Sequence, residues 1–188
     1  AIAAADGSGG SNVVVLPSGI YILSAGALVV TGTLEIDGGG AGTTVVNGGG
    51  ADRVFDARDA DGLTINGVTI TGGSTPGASG GAILVNADTT LRNVTMQNNV
   101  SGQGGAIYSG GGSLTIVNST ISSNAASGPA ANGGAISFHG NTLRVLDSVV
   151  SNNSVTNTHL SLAGSGGAIS TGGTLVLDAS TISGNSAT

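Results

Sequence analysis

The stretch GGAIYSGGGSLTIVNSTISSN, residues 104–124, decides the fold because its ends recur along the chain. Gly-Gly-Ala-Ile begins at Gly80, Gly104, Gly133 and Gly166. An apolar residue, two others and an asparagine close each unit at Asn99, Asn124, Asn153 and Asn185. The offset from the first glycine to the closing asparagine is 19 or 20 residues in every unit. A unit of nearly constant length predicts a repeat architecture.

Each unit contains three short segments with strand-like alternation. In the second unit they are residues 106–108, 114–116 and 119–121. Side chains alternate along a strand, which predicts Leu114 and Ile116 inward and Thr115 outward. The shortest repeat, from Gly80 to Gly104, is 24 residues. The pattern predicts an all-β chain folded as a right-handed parallel β-helix with three strands per coil.

The segments between the units vary in length. Residues 100–103, 125–132 and 154–165 are 4, 8 and 12 residues long, and residues 74–79 hold the same place before the first unit. We predict that they are loops on one edge of the β-helix. Loops on a rigid scaffold are where binding usually resides.

The composition favours a thin core of stacked aliphatic residues. Aromatic residues make up 2% of the chain, and there is no cysteine to form a disulfide or a thiolate metal site. Four arginines and no lysine stand against ten acids, which argues against nucleic acid and anionic membranes as partners. No apolar run approaches the roughly 20 residues that span a bilayer. We expect no cofactor and no direct membrane insertion.

The chain has 188 residues, a length that suits one domain. We therefore predict one β-helix domain over residues 1–188. A further Gly-Gly-Ala-Ile would be due after Thr188, so we expect the domain to be part of a longer exported chain.

The paired glycines and the closing asparagines are interpreted as structural. A turn with positive φ, or backbones in close contact, favours glycine. Stacked asparagines can form an amide ladder that satisfies buried polar groups. These predicted corner residues are Gly80, Gly81, Gly104, Gly105, Gly133, Gly134, Gly166, Gly167, Asn99, Asn124, Asn153 and Asn185.

The Gly-Gly-Ala-Ile units resemble the repeats of chlamydial polymorphic outer-membrane proteins, which pair G-G-A-I with F-x-x-N. In this chain Met96, Ile121, Val150 and Ile182 replace that phenylalanine. The resemblance implies a surface-exposed, autotransporter-like passenger with a part in adhesion.

The N-terminal half is similar to secreted bacterial β-helix proteins that carry a C-S-L-R-E-A motif. Their L-P-x-G-x-Y pattern is matched by residues 16–21, and their R-V-F by residues 53–55, whereas the C-S-L-R-E-A motif itself is missing. This resemblance implies export from a bacterial cell, to the cell surface or the extracellular space.

The densest charges lie between residues 52 and 61. Asp56, Asp59 and Asp61 are a candidate calcium site, since hard cations prefer clustered oxygen ligands. The alternative is a solvated turn with internal Asp–Arg pairing. Asp147 and Asp178 are interpreted as members of one corner column of Asn and Asp, so no catalytic pair is predicted. His139 and His159 are interpreted as surface residues.

One face of the third strand of each unit is rich in hydroxyl groups. Its predicted exposed residues are Thr69, Thr71, Thr95, Thr120, Ser122, Ser151, Thr181 and Ser183. Ranked threonines suit an ice-binding surface. They also suit any exposed strand, and Gln97 and Val149 interrupt the array.

These features favour a structural or adhesive β-solenoid whose partners are other copies of itself or a surface ligand or glycan. End-to-end stacking into a filament is a second form of the same hypothesis, since open coil ends expose strand edges. The competing hypothesis is a β-helix that binds or degrades an extracellular polysaccharide. An ice-binding solenoid is a further alternative.

Overall fold

The computed structural model describes residues 11–158 and 166–188. All regular secondary structure among these residues is β-strand, and all pairings between these strands are parallel. The strands stack into four sheets, which we label A to D. The prediction of an all-β parallel β-helix is confirmed, and its right-handed sense stays a prediction. The described residues include no helix long and apolar enough to cross a bilayer.

Sheets A and B each contain seven strands. Sheet A stacks β1 (Ser11–Leu16), β4 (Thr33–Gly38), β7 (Gly62–Asn66), β11 (Thr89–Arg92), β15 (Leu114–Val117), β19 (Thr142–Leu146) and β23 (Thr174–Asp178). Sheet B stacks β2 (Gly19–Ile22), β5 (Thr44–Asn47), β8 (Thr69–Thr71), β12 (Thr95–Gln97), β16 (Thr120–Ser122), β20 (Val149–Ser151) and β24 (Thr181–Ser183).

Sheets C and D contain six and five strands. Sheet C stacks β3 (Leu28–Val29), β6 (Phe55–Ala57), β10 (Ile83–Val85), β14 (Ile107–Ser109), β18 (Ile136–Phe138) and β22 (Ile169–Thr171). Sheet D stacks β9 (Ser74–Ser79), β13 (Val100–Gln103), β17 (Ala125–Gly128), β21 (Ser154–Asn157) and β25 (Ser186–Ala187).

Sheet D is the part of the fold that the sequence pattern does not show. The coils that contain β1 to β6 pass from sheet B directly to sheet C, whereas from β9 onward each coil has a strand of sheet D between them. The predictions of three strands per coil and of loops in these segments are therefore wrong from β9 onward. Residues 74–79 and 100–103 are strand throughout, and the two longer segments begin with the strands Ala125–Gly128 and Ser154–Asn157. Their inward side chains are small: Ala126, Ala131 and Val155 form a second, minor core. Residues 159–165, with His159, lie outside the described residues.

The main core lies between the sheets and is built from in-register columns. One column of sheet A aligns Val14, Ile36, Ile65, Leu91, Ile116, Val145 and Leu177. The predicted orientations hold in the second unit, where Leu114 and Ile116 are fully buried and Thr115 is half-buried. Burying one such aliphatic side chain contributes about 1.5–3 kcal/mol. The stacked columns thus replace the aromatic core that the composition lacks.

Candidate functional site

The Gly-Gly corner precedes each strand of sheet C from β10 onward. The first glycine of each pair has a φ between 61° and 70°, a region that side chains of L residues rarely occupy. The second glycine lies against the next coil: a Cβ on Gly105 would overlap the carbonyl oxygen of Gly134. The structure places all eight predicted glycines at this corner, where each position has its own steric reason for glycine.

The closing asparagines stack at the corner between sheets B and D. The Nδ2 groups of Asn99, Asn124 and Asn153 donate to the Oδ1 atom of the next asparagine, up to Asn185, at 3.0, 3.0 and 2.9 Å. Their backbone N–H groups donate to the same oxygens at 2.9–3.0 Å. These three side chains are at most 1% exposed. Buried amides with all these partners bind four successive coils to one another.

Each buried amide also joins its own coil to the one below it. The Nδ2 of Asn124 donates to the carbonyl oxygens of Met96 and Ser122 at 3.1 and 3.0 Å. The ladder begins one coil earlier at a glycine, because the backbone N–H of Gly73 donates to Oδ1 of Asn99 at 2.9 Å. One side chain per coil therefore satisfies backbone groups in two coils.

A second amide column follows the corner between sheets A and B. Asn66 donates to Asp37 at 2.7 Å, Asn93 to Asn66 at 2.8 Å, and Asn118 to Asn93 at 2.6 Å. Asn93 and Asn118 are exposed, unlike the asparagines of the buried ladder. Water can replace these bonds, so this column stabilises the fold less than the buried one.

Asp147 continues the left-handed corner position of Asn118, with a φ of 49° against 48°. Asp178 does not, because it pairs with Leu146 in sheet A, and Ala179 takes the positive φ of 46°. The prediction that Asp147 and Asp178 occupy equivalent places is wrong by one residue. The position of the backbone turn decides which residue of each coil enters the corner column, and the type of side chain alone does not reveal that position.

The candidate calcium ligands are held apart. Arg58 donates two hydrogen bonds to the carboxylate of Asp56, from Nε at 2.9 Å and from Nη2 at 2.6 Å. The Nε of Arg53 lies 3.8 Å from the same carboxylate. Asp59 and Asp61 are exposed. Among the described residues no group of three or more histidines, aspartates or glutamates could hold a metal ion. The observed contacts are the internal Asp–Arg pairing that the sequence offered as the alternative to a calcium site.

The two arginines set the ionisation of this cluster. Burial tends to raise the pKa of Asp56, but the hydrogen bonds from Arg58 and the charge of Arg53 outweigh it and leave that pKa below its ordinary value. Burial lowers the pKa of Arg53. The hydrogen bonds to Asp56 raise the pKa of Arg58.

Arg53 has a second contact that the sequence did not reveal. Its Nη1 donates to the carbonyl oxygen of Ser79 in β9 at 2.8 Å. β9 is the terminal strand of sheet D, where four-stranded coils begin above three-stranded ones. On this free edge Ser74 donates to the carbonyl of Asp52, and Pro76, two residues further, has no N–H to offer. Proline and a neighbouring cation protect an edge from pairing with foreign strands.

The outer face of sheet B forms a strip of two in-register columns, which we call the sheet B strip. All eight predicted hydroxyl residues lie on it, and the columns extend further in the N-terminal direction than the sequence showed. The first column is Ile20, Val45, Thr69, Thr95, Thr120, Val149 and Thr181. The second is Ile22, Asn47, Thr71, Gln97, Ser122, Ser151 and Ser183.

The polar groups of this strip are mostly uncommitted. The prediction that Thr69 is exposed is wrong, because it is 6% exposed and donates its hydroxyl to the carbonyl of Ala41. Asn47 accepts from the backbone of Gly49 at 2.9 Å. Within the described part of the chain, no side-chain hydrogen bond is recorded for the other threonines and serines of the strip or for Gln97. Ile20 and Ile22 are 71% and 66% exposed.

Charge is distributed unevenly around the β-helix. The described strands of sheets B and D contain no aspartate, glutamate, lysine, arginine or histidine. The described charged residues lie on sheets A and C or in the corners that adjoin them. In a chain with a net charge of −6, the described strands of sheets B and D thus form an uncharged surface.

On sheet C, His139 has partners that the sequence did not suggest. Its ring lies 5.4 Å from the ring of Tyr108, and its Nε2 is 3.2 Å from Oγ of Ser137.

Comparison of the chain with protein-family models, curated proteins and solved structures finds no match.

Proposed function

We propose that this β-helix is a structural and adhesive segment of an exported bacterial cell-surface protein. The observation that supports this most is the buried asparagine ladder from Asn99 to Asn185. It stiffens four successive coils with hydrogen bonds between side chains of the chain itself. A solenoid stiffened in this way suits a rod that holds its outer faces at a distance from the cell.

The sheet geometry supports the adhesive half of the proposal. Residues at equivalent positions stack at about 4.8 Å, so any outward side chain is repeated in a straight rank. Such ranks offer many weak contacts that act together, and linked weak contacts give a high avidity.

Surface display tests the proposal. The chain, fused to an outer-membrane anchor on a bacterium without adhesins of its own, should increase the number of cells retained on coated surfaces. An Asn124→Ala variant should weaken this effect because it destabilises the rod, whereas Asn118→Ala, in the exposed amide column, should keep it. Equal retention of cells that display the folded chain and cells that carry the empty anchor would contradict the adhesive role.

Location is tested separately. An antibody raised against the purified chain should label intact cells of the source bacterium, and external protease should remove the label. Label found only after cell lysis would contradict the surface assignment, whatever the display experiment shows.

End-to-end assembly is a second form of the proposal. Parallel strands at an open end of a β-helix expose edges with which a coil of another copy can pair. Electron microscopy of the purified chain at rising concentration should then show filaments, and isolated particles at every concentration would contradict this form.

A further inference from the structure

The sheet B strip has an uncommon combination of shape and chemistry. Seven strands stacked at about 4.8 Å, each about three residues wide, give a strip roughly 30 Å long and 10 Å wide. It narrows to its second column at β8, where Thr69 of the first column is buried and bonded to the carbonyl of Ala41. It carries no charge, and its two columns mix free hydroxyls with the methyl groups of threonine, valine and isoleucine.

The dimensions limit what can bind there. A stable interface with a folded protein takes about 800 Å² from each partner. The strip by itself offers roughly 300 Å² by its length and width, which is less than half of that area. Its long, narrow form fits a linear polymer that runs parallel to the axis of the β-helix.

The chemistry of the sheet B strip limits which polymers can bind to it. A polyanion would need arginine or lysine and a polycation would need acids, and the described strands of sheets B and D contain neither. The hydroxyls of Thr95, Thr120 and Ser122 can donate and accept hydrogen bonds, and the Gln97 amide can do both as well. The methyl groups between them match the apolar faces of sugar rings.

We propose that the sheet B strip binds a linear, uncharged polysaccharide laid along the solenoid axis. This inference rests on the proposed adhesive function and names its binding surface and ligand class. Each coil contributes one contact row, so affinity grows with the length of the polymer until the strip is filled.

The test compares two threonines of the same coil. Thr120 lies in sheet B between Thr95 and Val149, and Thr115 lies in sheet A between Thr90 and Arg144. Both are half-buried, so Thr120→Glu and Thr115→Glu place the same charge on two different faces. Circular dichroism and thermal melting establish that both variants fold.

The probes are microcrystalline cellulose, chitin and a soluble neutral β-glucan, with polygalacturonate and alginate as anionic controls. The wild-type chain should be retained by at least one neutral probe, more tightly by longer oligomers, and by neither anionic control. Thr120→Glu should weaken retention about tenfold or more, since it buries an unpaired charge against the ligand. Thr115→Glu should bind like the wild type.

Several results would overturn the inference: no retention on any neutral probe, equal losses in both variants, or retention by the anionic probes alone. Thermal hysteresis that Thr120→Glu abolishes, without glycan binding, would assign the strip to ice. If cells that display Thr120→Glu adhere as well as cells that display the wild-type chain, the adhesive function is retained but does not depend on the sheet B strip. Failure of display-dependent adhesion would remove the proposed function even if purified chain binds glycan.

Discussion

The coils before β9 and the coils after it solve the same stacking problem in different ways. After β9, each turn between sheets B and D contains an asparagine that is buried in all but the last, and each turn before sheet C contains Gly-Gly. Before β9 there is no sheet D among the described strands, and Arg53, Asp56 and Arg58 form the ion pairs. Repeated corner chemistry gives a regular four-sided coil, while the earlier coils depend on individual contacts.

Gly73 marks the lower end of the asparagine ladder. It occupies the ladder position of its coil, but a Cβ there would overlap the carbonyl oxygen of Gly81. Its backbone N–H still donates to Oδ1 of Asn99. A steric exclusion at Gly73 thus explains why this coil contributes a backbone donor to the ladder and no side chain.

The largest effect is expected from Gly105→Ala, which attacks the regular coils directly. The new Cβ would overlap the Gly134 carbonyl oxygen and lie 2.7 Å from backbone atoms of Ala125, so neighbouring coils must separate. We expect a loss of about 4 kcal/mol or more, or failure to fold. Guanidinium denaturation measures it. Gly172→Ala is the control, because nothing lies within 4 Å of its Cβ position, and a comparable loss there would contradict the close-packing explanation.

Asn124→Ala should rank second, since it removes one step of the buried ladder. The N–H and amide of Asn99 lose their acceptor, and the carbonyls of Met96 and Ser122 lose a donor. Unsatisfied buried groups of this kind cost about 3 kcal/mol in total. The midpoint of chemical denaturation reports the change. Asn118→Ala, in the exposed amide column, should cost well under half as much, and equal losses would show that burial is not the reason.

Arg53→Met tests the boundary between the three-stranded and the four-stranded coils. The substitution keeps the apolar stem, removes the bond to Ser79 and leaves Asp56 with Arg58 as its partner. We expect a loss of about 2 kcal/mol. Hydrogen exchange should become faster in β9 and stay unchanged in β16. Faster exchange spread evenly over the chain would mean that Arg53 does not act locally.

The smallest effect is a pH dependence confined to the earlier coils. The folded-state pKa of Asp56 lies below its ordinary value of 3.8, so its contribution to stability is present above that value and is lost as the pH falls through the folded-state pKa. Stability measured by denaturation should therefore decline below about pH 4. In Asp56→Asn this decline should be smaller. An identical acid profile in both proteins would assign it to other carboxylates.

The repeat, the β-helix and the corner residues could be read from the sequence because each has a local signal. Alternation places Leu114 and Ile116 inward, and the glycine and asparagine positions recur at a nearly constant offset. Sheet D lacked such a signal, because its short strands are built from small and polar residues. Arg53 gave none either, since its partner is a backbone carbonyl 26 residues away.

The hydroxyl residues of the candidate site were found from the sequence, but the uncharged side as a whole was not. Sequence spacing assigns each threonine to a strand. Only the register of sheets B and D shows that the described charged residues fall on other faces of the molecule.

The sequence by itself determined which residues repeat, which of them face inward and where glycine is required. These properties depend on local backbone geometry and on a period short enough to see. The tertiary structure decided where the coil widens, which carboxylates pair with arginine and which sheets carry no charge among the described residues. Those outcomes depend on contacts between coils about 25 or more residues apart, and a variation of one residue in turn position, as at Ala179, changes which side chains meet.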